Sequence, residues 1–171
     1  MRRATLADWA RLFYWRNDEA TTAASVKTEP VTLETHLAWL RVTLASEVVR
    51  LYIHEDAPRN RCVGTGRLDL RRGPDPSAPD RPRHKSAKPA AEVETAVELS
   101  LTLDPRYRDG GYAVQIIEAL LQEAQAWRPS LPVVARVRVL PVPNYASLRA
   151  FSRLGFLPAV YAGEFVELTR A

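Results

Sequence analysis

The stretch from Leu101 to Ala113 constrains the fold more than any other part of the sequence. It reads Leu-Thr-Leu-Asp-Pro-Arg-Tyr-Arg-Asp-Gly-Gly-Tyr-Ala, so an alternating apolar strand meets a proline and then a cationic loop with two glycines. A long amphipathic helix is predicted directly after it, over about 111–127. Such a loop exposes successive backbone N–H groups, and the helix adds unpaired N–H groups and the positive end of its dipole. The pattern therefore predicts a strand–loop–helix unit that binds an anionic phosphate.

Apolar periodicity predicts the elements on either side of this unit. Their order is β, α, α, β, β, β, α, β, α, β, β, and residues 16–30 read as irregular. The strands are predicted near 2–5, 48–54, 63–70, 94–103, 133–140, 156–161 and 164–169, and the helices near 6–15, 32–44, 111–127 and 144–154. This order indicates one mixed α/β (α+β) domain over residues 1–171, with about four helices on a largely antiparallel, twisted sheet.

The excess positive charge is concentrated in one segment. Residues 71–91 contain six Lys or Arg, two Asp and five of the thirteen prolines, which accounts for the whole net charge of +4. This composition is typical of a solvated, mobile insertion between two strands. An arm that covers the substrate or binds a polyanion is the alternative. Nothing in the composition favours a nucleic acid as the partner.

Targeting and metal-binding signals are not found in the sequence. No apolar run approaches the roughly 20 residues that span a bilayer, and the charged N-terminus lacks the apolar region of a signal peptide. The one cysteine, Cys62, cannot form an internal disulfide, and no cysteine cluster indicates zinc. We therefore expect a cytoplasmic protein without membrane association and without a metal site.

Two sequence blocks resemble the GNAT superfamily of N-acetyltransferases. Arg108-Asp109-Gly110-Gly111-Tyr112-Ala113 matches the acyl-CoA loop signature Gln/Arg-x-x-Gly-x-Gly/Ala. The Gly-Lys-Ser/Thr ending of nucleotide-triphosphate loops and the three-glycine dinucleotide fingerprint are both absent. The second block, Asn144-Tyr-Ala-Ser147-Leu-Arg-Ala-Phe151-Ser-Arg-Leu-Gly155-Phe156, is similar to the later Asn-x-x-Ser…Tyr/Phe-x-x-x-Gly-Phe element of the superfamily.

A looser resemblance covers the N-terminal region. Trp15-Arg16-Asn17-Asp18 and Glu34-Thr-His36-Leu-Ala-Trp39 look like one branch of the superfamily. That branch contains RimJ/RimL-type enzymes and N-acetyltransferases of amino-sugar biosynthesis. Dimers are common in it, so a homodimer is a candidate assembly, although the oligomeric state stays open.

The resemblance implies acetyl-CoA as co-substrate. The backbone N–H groups of residues 108–113 would hold its diphosphate, and Asn144 would meet the pantetheine or a catalytic water. Leu101 and Leu103 lie where the strand splays from its neighbour and pairs with the pantetheine arm. The full set of implied cofactor-binding residues is Leu101, Leu103, Arg108, Asp109, Gly110, Gly111, Tyr112, Ala113, Asn144, Ser147 and Phe151.

Glu98 is the first candidate for the base that accepts the amine proton. It precedes the loop on the same strand, where many relatives carry a glutamate, and it needs only a modest rise in pKa and a bound water. An ion-paired strand glutamate is the alternative, and Glu94 or Glu92 replaces it if the register differs. Phe151 stands where relatives often have the tyrosine that protonates the leaving thiolate, and phenylalanine cannot donate a proton. The general acid is therefore left without a candidate.

The acceptor site is the least legible part. Trp15, Arg16, Asn17 and His36 come from the region that lines it in relatives, although the aromatic side chain and the histidine also suit a core. We expect the acceptor to be the primary amine of a small molecule, with a nucleotide-linked amino sugar slightly ahead. A protein N-terminal acetyltransferase of the ribosomal-protein type and a non-catalytic acyl-CoA-binding module are the alternatives.

Overall fold

A seven-stranded mixed sheet organises the part of the chain that the computed structural model describes, residues 1–74 and 92–170. The spatial order is β1-β2-β3-β4-β5-β7-β6, and β4–β5 is the one parallel pair among them. The strands are β1 (Arg2–Arg3), β2 (Val49–Asp56), β3 (Arg61–Pro74), β4 (Glu92–Leu103), β5 (Val133–Arg138), β6 (Leu157–Ala162) and β7 (Phe165–Arg170). The predicted fold class, a largely antiparallel sheet with flanking helices, is confirmed.

Five α-helices accompany the sheet in the described residues. They are α1 (Trp9–Arg16), α2 (Glu19–Ala24), α3 (Leu33–Ala45), α4 (Tyr112–Trp127) and α5 (Tyr145–Arg153), with short 3-10 turns at Leu6–Asp8, Ala57–Arg59 and Pro105–Tyr107. Thr32 caps α3 by accepting the Thr35 N–H at 3.2 Å. Within this described part of the chain, no helix combines the length and the apolar character needed to cross a membrane.

Two predictions about element boundaries were wrong. Residues 16–30 are not wholly irregular, because α2 forms there with Asp18 as its N-cap, accepting the Thr21 N–H at 2.9 Å. Its sequence, Glu-Ala-Thr-Thr-Ala-Ala, has no apolar stripe that periodicity could reveal. The predicted start of the insertion, residue 71, was also too early, because residues 71–74 belong to β3, which pairs with β4 as far as Pro74. The remaining residues of the insertion, 75–91, lie outside the described residues.

The two faces of the sheet carry separate cores. One face packs on α4 and α5, where Val97 and Leu99 of β4 meet Ile116, Ile117 and Leu120 of α4, all nearly inaccessible to solvent. The opposite face packs on α1 and α3 through a smaller cluster, which comprises Ala4, Leu12, Trp15, Leu40, Leu51 and Ile53. Because side chains alternate along a strand, Glu98 lies on the face of α1 and α3.

Asp104 fixes the point at which the chain leaves β4. Its side chain is 1% exposed and accepts hydrogen bonds from the backbone N–H (3.0 Å), Nε (3.0 Å) and Nη2 (2.7 Å) of Arg106. Burial by itself raises the pKa of Asp104, but these bonds and a further one from Trp15 outweigh it and lower the pKa to about 2. Its backbone N–H donates to the Val63 carbonyl at 2.9 Å. The loop that follows therefore starts from a rigid point.

We predict that the Asp104→Asn variant is less stable by about 2 kcal/mol at pH 7, because the lowered pKa makes the ionised carboxylate a stabilising group. That contribution is present above the unfolded pKa of about 3.8 and disappears as the pH falls towards 2. The stability difference from wild type should therefore shrink to roughly half by pH 3. Urea unfolding at pH 7, 4 and 3 measures it, with Asp109→Asn on the exposed loop as the control. An equal difference at every pH would contradict the prediction.

Candidate active site

The site begins where β4 and β5 separate. The two strands pair only through Val97–Val133 and Glu98–Val134, whereas β4 stays paired with β3 as far as Leu103. Val97 donates its N–H towards β5 and Asp104 donates towards β3. By alternation, the backbone groups of Leu101 and Leu103 face the gap that opens beside β5. This splayed edge is what the sequence resemblance implied for Leu101 and Leu103.

The loop after β4 contains two residues in the left-handed region of backbone conformation. Asp109 and Gly111 have φ values of +62° and +77°, and closely spaced left-handed residues are typical of anion-binding nests, so we call residues 108–113 the nest. Gly111 caps α4 without any side-chain hydrogen bond, and a Cβ built on it meets nothing within 4 Å. The first N–H groups of α4, at Tyr112 and Ala113, have no acceptor within the helix, as at any helix start, and the space beside Gly111 is open.

The side chains of this loop bind to the protein. The Tyr112 hydroxyl donates to Asp56 at 2.6 Å and accepts from Arg61 at 3.1 Å. Arg61 also lies over the ring of Tyr107, 4.4 Å from its centroid. The hairpin between β2 and β3 thus holds the side chains of the loop in place. The backbone of the loop is then the part that is available to a ligand. Sequence reasoning missed Asp56 and Arg61, because nothing in the sequence ties that hairpin to residue 112.

Arg108 faces the helix α2. Its Nη2 donates to the carboxylate of Asp18 and to Oγ1 of Thr21 at 3.0 Å. Burial raises the pKa of Asp18, but the hydrogen bonds from Arg108 and from the Thr21 N–H outweigh it, so that the pKa lies below its usual value. The loop and α2 are therefore joined by an ion pair that the sequence did not indicate.

The residues of the second sequence block, 144–156, differ in their exposure to solvent. Asn144 caps α5 by accepting the Ser147 N–H at 3.0 Å, and both residues are partly exposed. Phe151 is 3% exposed and packs edge-on against Phe156, with ring centroids 4.9 Å apart. The ring fills the core beneath α5, and its place in the cofactor site stays a prediction. Tyr145 is 62% exposed, on a different face of α5 from Phe151.

Glu98 is held between two arginines. Its carboxylate accepts from Nε of Arg71 and from Nε of Arg136, each at 2.8 Å. Burial raises the pKa of Glu98, but the two arginines outweigh it and the pKa lies below its usual value. The expected rise in pKa is therefore wrong, and the ion-paired alternative describes its environment. Glu94 is paired with Arg128 at 2.7 Å, and Glu92 is exposed at the start of β4.

The four residues predicted to line the acceptor site make structural contacts. Trp15 is 2% exposed and belongs to the smaller core. His36 is 3% exposed, its Nε2 lies 3.2 Å from the Trp9 carbonyl oxygen, and burial lowers its pKa. Arg16 and Asn17 bind main-chain groups of the α2–α3 connection, including the carbonyls of Lys27 and Val31. The side chains of Arg16 and Asn17 thus order the region around α2, whereas Trp15 and His36 belong to the packing of α1 and α3.

Arg138, at the end of β5, is a site-bordering residue that sequence reasoning missed. It is 5% exposed, donates from Nη2 to the Ser25 carbonyl at 2.5 Å, and also binds the carboxylate of Glu164. Its guanidinium lies 4.6 Å from the centroid of Phe165. A buried arginine on an alternating strand carries no sequence signal, because the pattern there equally fits an exposed charge.

Comparison with known proteins agrees with this geometry. The family model described as an acetyltransferase (GNAT) domain matches residues 1–157. Comparison with curated proteins finds no match. Among solved structures, the ribosomal-protein-alanine N-acetyltransferase of Brucella melitensis is 21% identical, with 99% of this chain and 97% of that chain covered and a TM-score of 0.68. An N-acetyltransferase from Staphylococcus aureus Mu50 is 19% identical, with 99% and 95% covered and a TM-score of 0.68.

An aminoglycoside acetyltransferase, AAC(6')-Ib, solved with ribostamycin and coenzyme A, is 17% identical, with 99% of this chain and 91% of that chain covered and a TM-score of 0.72. At these identities the likeness concerns the fold. The family model covers far more than half of the chain. The chain belongs to the GNAT family of N-acetyltransferases, enzymes whose co-substrate is acetyl-CoA.

Proposed function

We propose that the protein transfers an acetyl group from acetyl-CoA to the primary amine of a small molecule, by direct attack in a ternary complex. The observation that carries this proposal is the unpaired edge of β4 at Leu101 and Leu103, directly beside the nest of residues 108–113. A free strand edge can pair with the amides of a ligand, and the loop that follows can bind a diphosphate. Together they suit a ligand that has an amide-containing arm and a diphosphate.

The residues present fit such a co-substrate. The N–H groups of residues 110–113 would take the diphosphate, and the free space at Gly111 is where a phosphate would approach. The edge groups of Leu101 and Leu103 would pair with the amides of the pantetheine arm. Asn144 and Ser147, at the start of α5, would border the thiol end. Acetyl-CoA bound there supplies its acetyl group as an activated thioester.

The protein's part in the reaction is positioning and proton handling. Because Glu98 is ion-paired and its pKa is lowered, we propose that it anchors Arg71 and Arg136, and that the amine proton leaves through water. The buried ring of Phe151 provides no acid for the departing thiolate. A thiol with a pKa of about 8.5 is a tolerable leaving group near neutral pH, and water can protonate it.

A nucleotide-linked amino sugar is the acceptor class that we favour. The support comes from the sequence of residues 15–18 and 34–39, which resembles the branch that includes amino-sugar N-acetyltransferases. The structural likeness to a ribosomal-protein-alanine N-acetyltransferase supports a protein N-terminus as the second candidate. A non-catalytic acyl-CoA-binding module is the third.

An acceptor panel separates these candidates. Purified protein with acetyl-CoA is offered nucleotide-linked amino sugars, free amino sugars, an aminoglycoside and peptides with N-terminal alanine, and thiol release is followed. We expect release with the sugar amines, confirmed by mass spectrometry of the acetylated product. Release only with the peptides would favour the protein acetyltransferase. Binding of CoA without turnover on any amine would contradict the enzyme proposal.

We predict that Gly111→Ala weakens CoA binding about tenfold or more, because the new methyl group enters the space where the phosphate approaches. Alanine at φ +77° also costs about 1 kcal/mol of backbone strain. Gly163→Ala is the matched control, since position 163 has φ +59° and open space in the β6–β7 turn. Isothermal titration with CoA measures both variants. Equal affinities in the two would remove the nest from the site.

We predict that Glu98→Gln lowers kcat by less than about tenfold, whereas loss of a general base costs about 10² to 10⁴. The acidic limb of the pH–rate profile should stay where it is in wild type. Unfolding free energy should fall by about 1–3 kcal/mol, because Arg71 and Arg136 lose a charged partner. Steady-state kinetics over pH, with urea unfolding, tests this. A drop of several hundredfold with loss of the acidic limb would restore Glu98 as the base.

A further inference from the structure

Residues 17–31, which we call the bridging segment, connect α1 to α3. The two ends of this segment are hydrogen-bonded to each other. Asn17 donates from Nδ2 to the Val31 carbonyl at 2.9 Å and accepts the Val31 N–H at 2.8 Å. Arg16 donates to the carbonyl of Lys27 at 2.8 Å. The ends of the segment are therefore fixed by their own neighbours in the sequence, independently of the sheet.

The helix α2 within the bridging segment is held at both ends by arginines. One arginine comes from the loop after β4 and the other from the end of β5. At its start, Arg108, in the loop after β4, binds Asp18 and Thr21. At its end, Arg138, the last residue of β5, donates to the Ser25 carbonyl at 2.5 Å. A six-residue helix is about 9 Å long. The helix α2 therefore extends across the open end of the gap between β4 and β5.

The guanidinium of Arg108 can serve two anions at once. Only its Nη2 donates to Asp18 and Thr21, and residues 1–74 and 92–170 offer no acceptor to its Nε and Nη1. The side chain is 33% exposed, so these two donors are accessible. An arginine has five N–H donors in a planar fork, which suits a bridge between a carboxylate and a phosphate.

We propose that Arg108 is a positioning residue that couples occupancy of the diphosphate loop to the position of α2. This inference rests on the proposed function, because it requires a diphosphate on the N–H groups of residues 110–113. Nε and Nη1 of Arg108 would donate to such a diphosphate while its Nη2 keeps Asp18. Bound CoA thus holds α2 against the end of the cleft, and α2 limits the opening through which an amine reaches the thioester.

The coupling has a quantitative consequence. If CoA stabilises the closed position of α2 by some factor, closing α2 strengthens CoA binding by the same factor, because coupling between two sites is reciprocal. A substitution that breaks the ion pair between Arg108 and Asp18 removes the stabilisation of α2 by CoA. The affinity for CoA must therefore fall by the same factor by which CoA stabilised α2. A contact with only a structural role gives no such equality.

Hydrogen exchange followed by mass spectrometry tests this with CoA as the probe. We expect CoA to slow exchange of the backbone N–H groups of residues 20–25 at least threefold in wild type. In Asp18→Asn, asparagine keeps the N-cap but loses the charge. Bound CoA should then no longer slow exchange, and the Kd for CoA should rise by the factor lost. Glu19→Gln, a charge change at the next, exposed residue, should behave like wild type.

Each comparison is made between free and CoA-bound protein of the same variant, so that a looser α2 in one variant does not mimic the effect. Unchanged or faster exchange of α2 in CoA-bound wild type overturns the coupling and leaves the proposed function intact. Retention of the slowing in Asp18→Asn also overturns it. Failure of CoA to bind wild type overturns both the coupling and the proposed function.

Discussion

The loss of pairing between β4 and β5 beyond Glu98 is the feature on which the rest of the site depends. Buried or half-buried backbone groups need partners, so an edge that opens inside a sheet leaves N–H and C=O groups for water or a ligand to satisfy. The edge survives because β4 keeps its full pairing with β3 and because Asp104 fixes its end. The nest follows β4, the start of α5 follows β5, and α2 is bound by an arginine from the nest and by one from the end of β5.

Around Glu98, on the face of the sheet that packs on α1 and α3, charged side chains pair with one another. Arg71 bridges Glu98 at 2.8 Å and Glu167 at 2.5 Å, and Arg136 takes the second oxygen of Glu98. Because Glu98 is bound by both arginines, the three side chains fix one another's orientation. A carboxylate bound in this way has a lowered pKa and is a weaker base than a free glutamate. Glu98 in turn fixes the positions of the Arg71 and Arg136 side chains.

Local sequence signals predicted the elements that have a strong internal pattern. The helix α4 and the strand before it follow from apolar periodicity, and the loop between them follows from two glycines beside a basic residue. The helix α2 escaped prediction because its small and polar residues have no stripe, and it is stabilised by Asp18, Arg108 and Arg138 instead. The buried place of Phe151 also escaped, since a family motif gives a residue's position in sequence and not its burial.

The sequence by itself determined the fold class, the family and the loop that is suited to a diphosphate, because these depend on periodicity and on contiguous residues. Only the tertiary structure decided which side chains are free to act. Glu98, Arg108 and Arg138 are bound by residues distant in sequence, and ion pairs of this kind leave no local pattern. Their partners follow from strand register and from the path of residues 17–31, which the whole chain must fold to define.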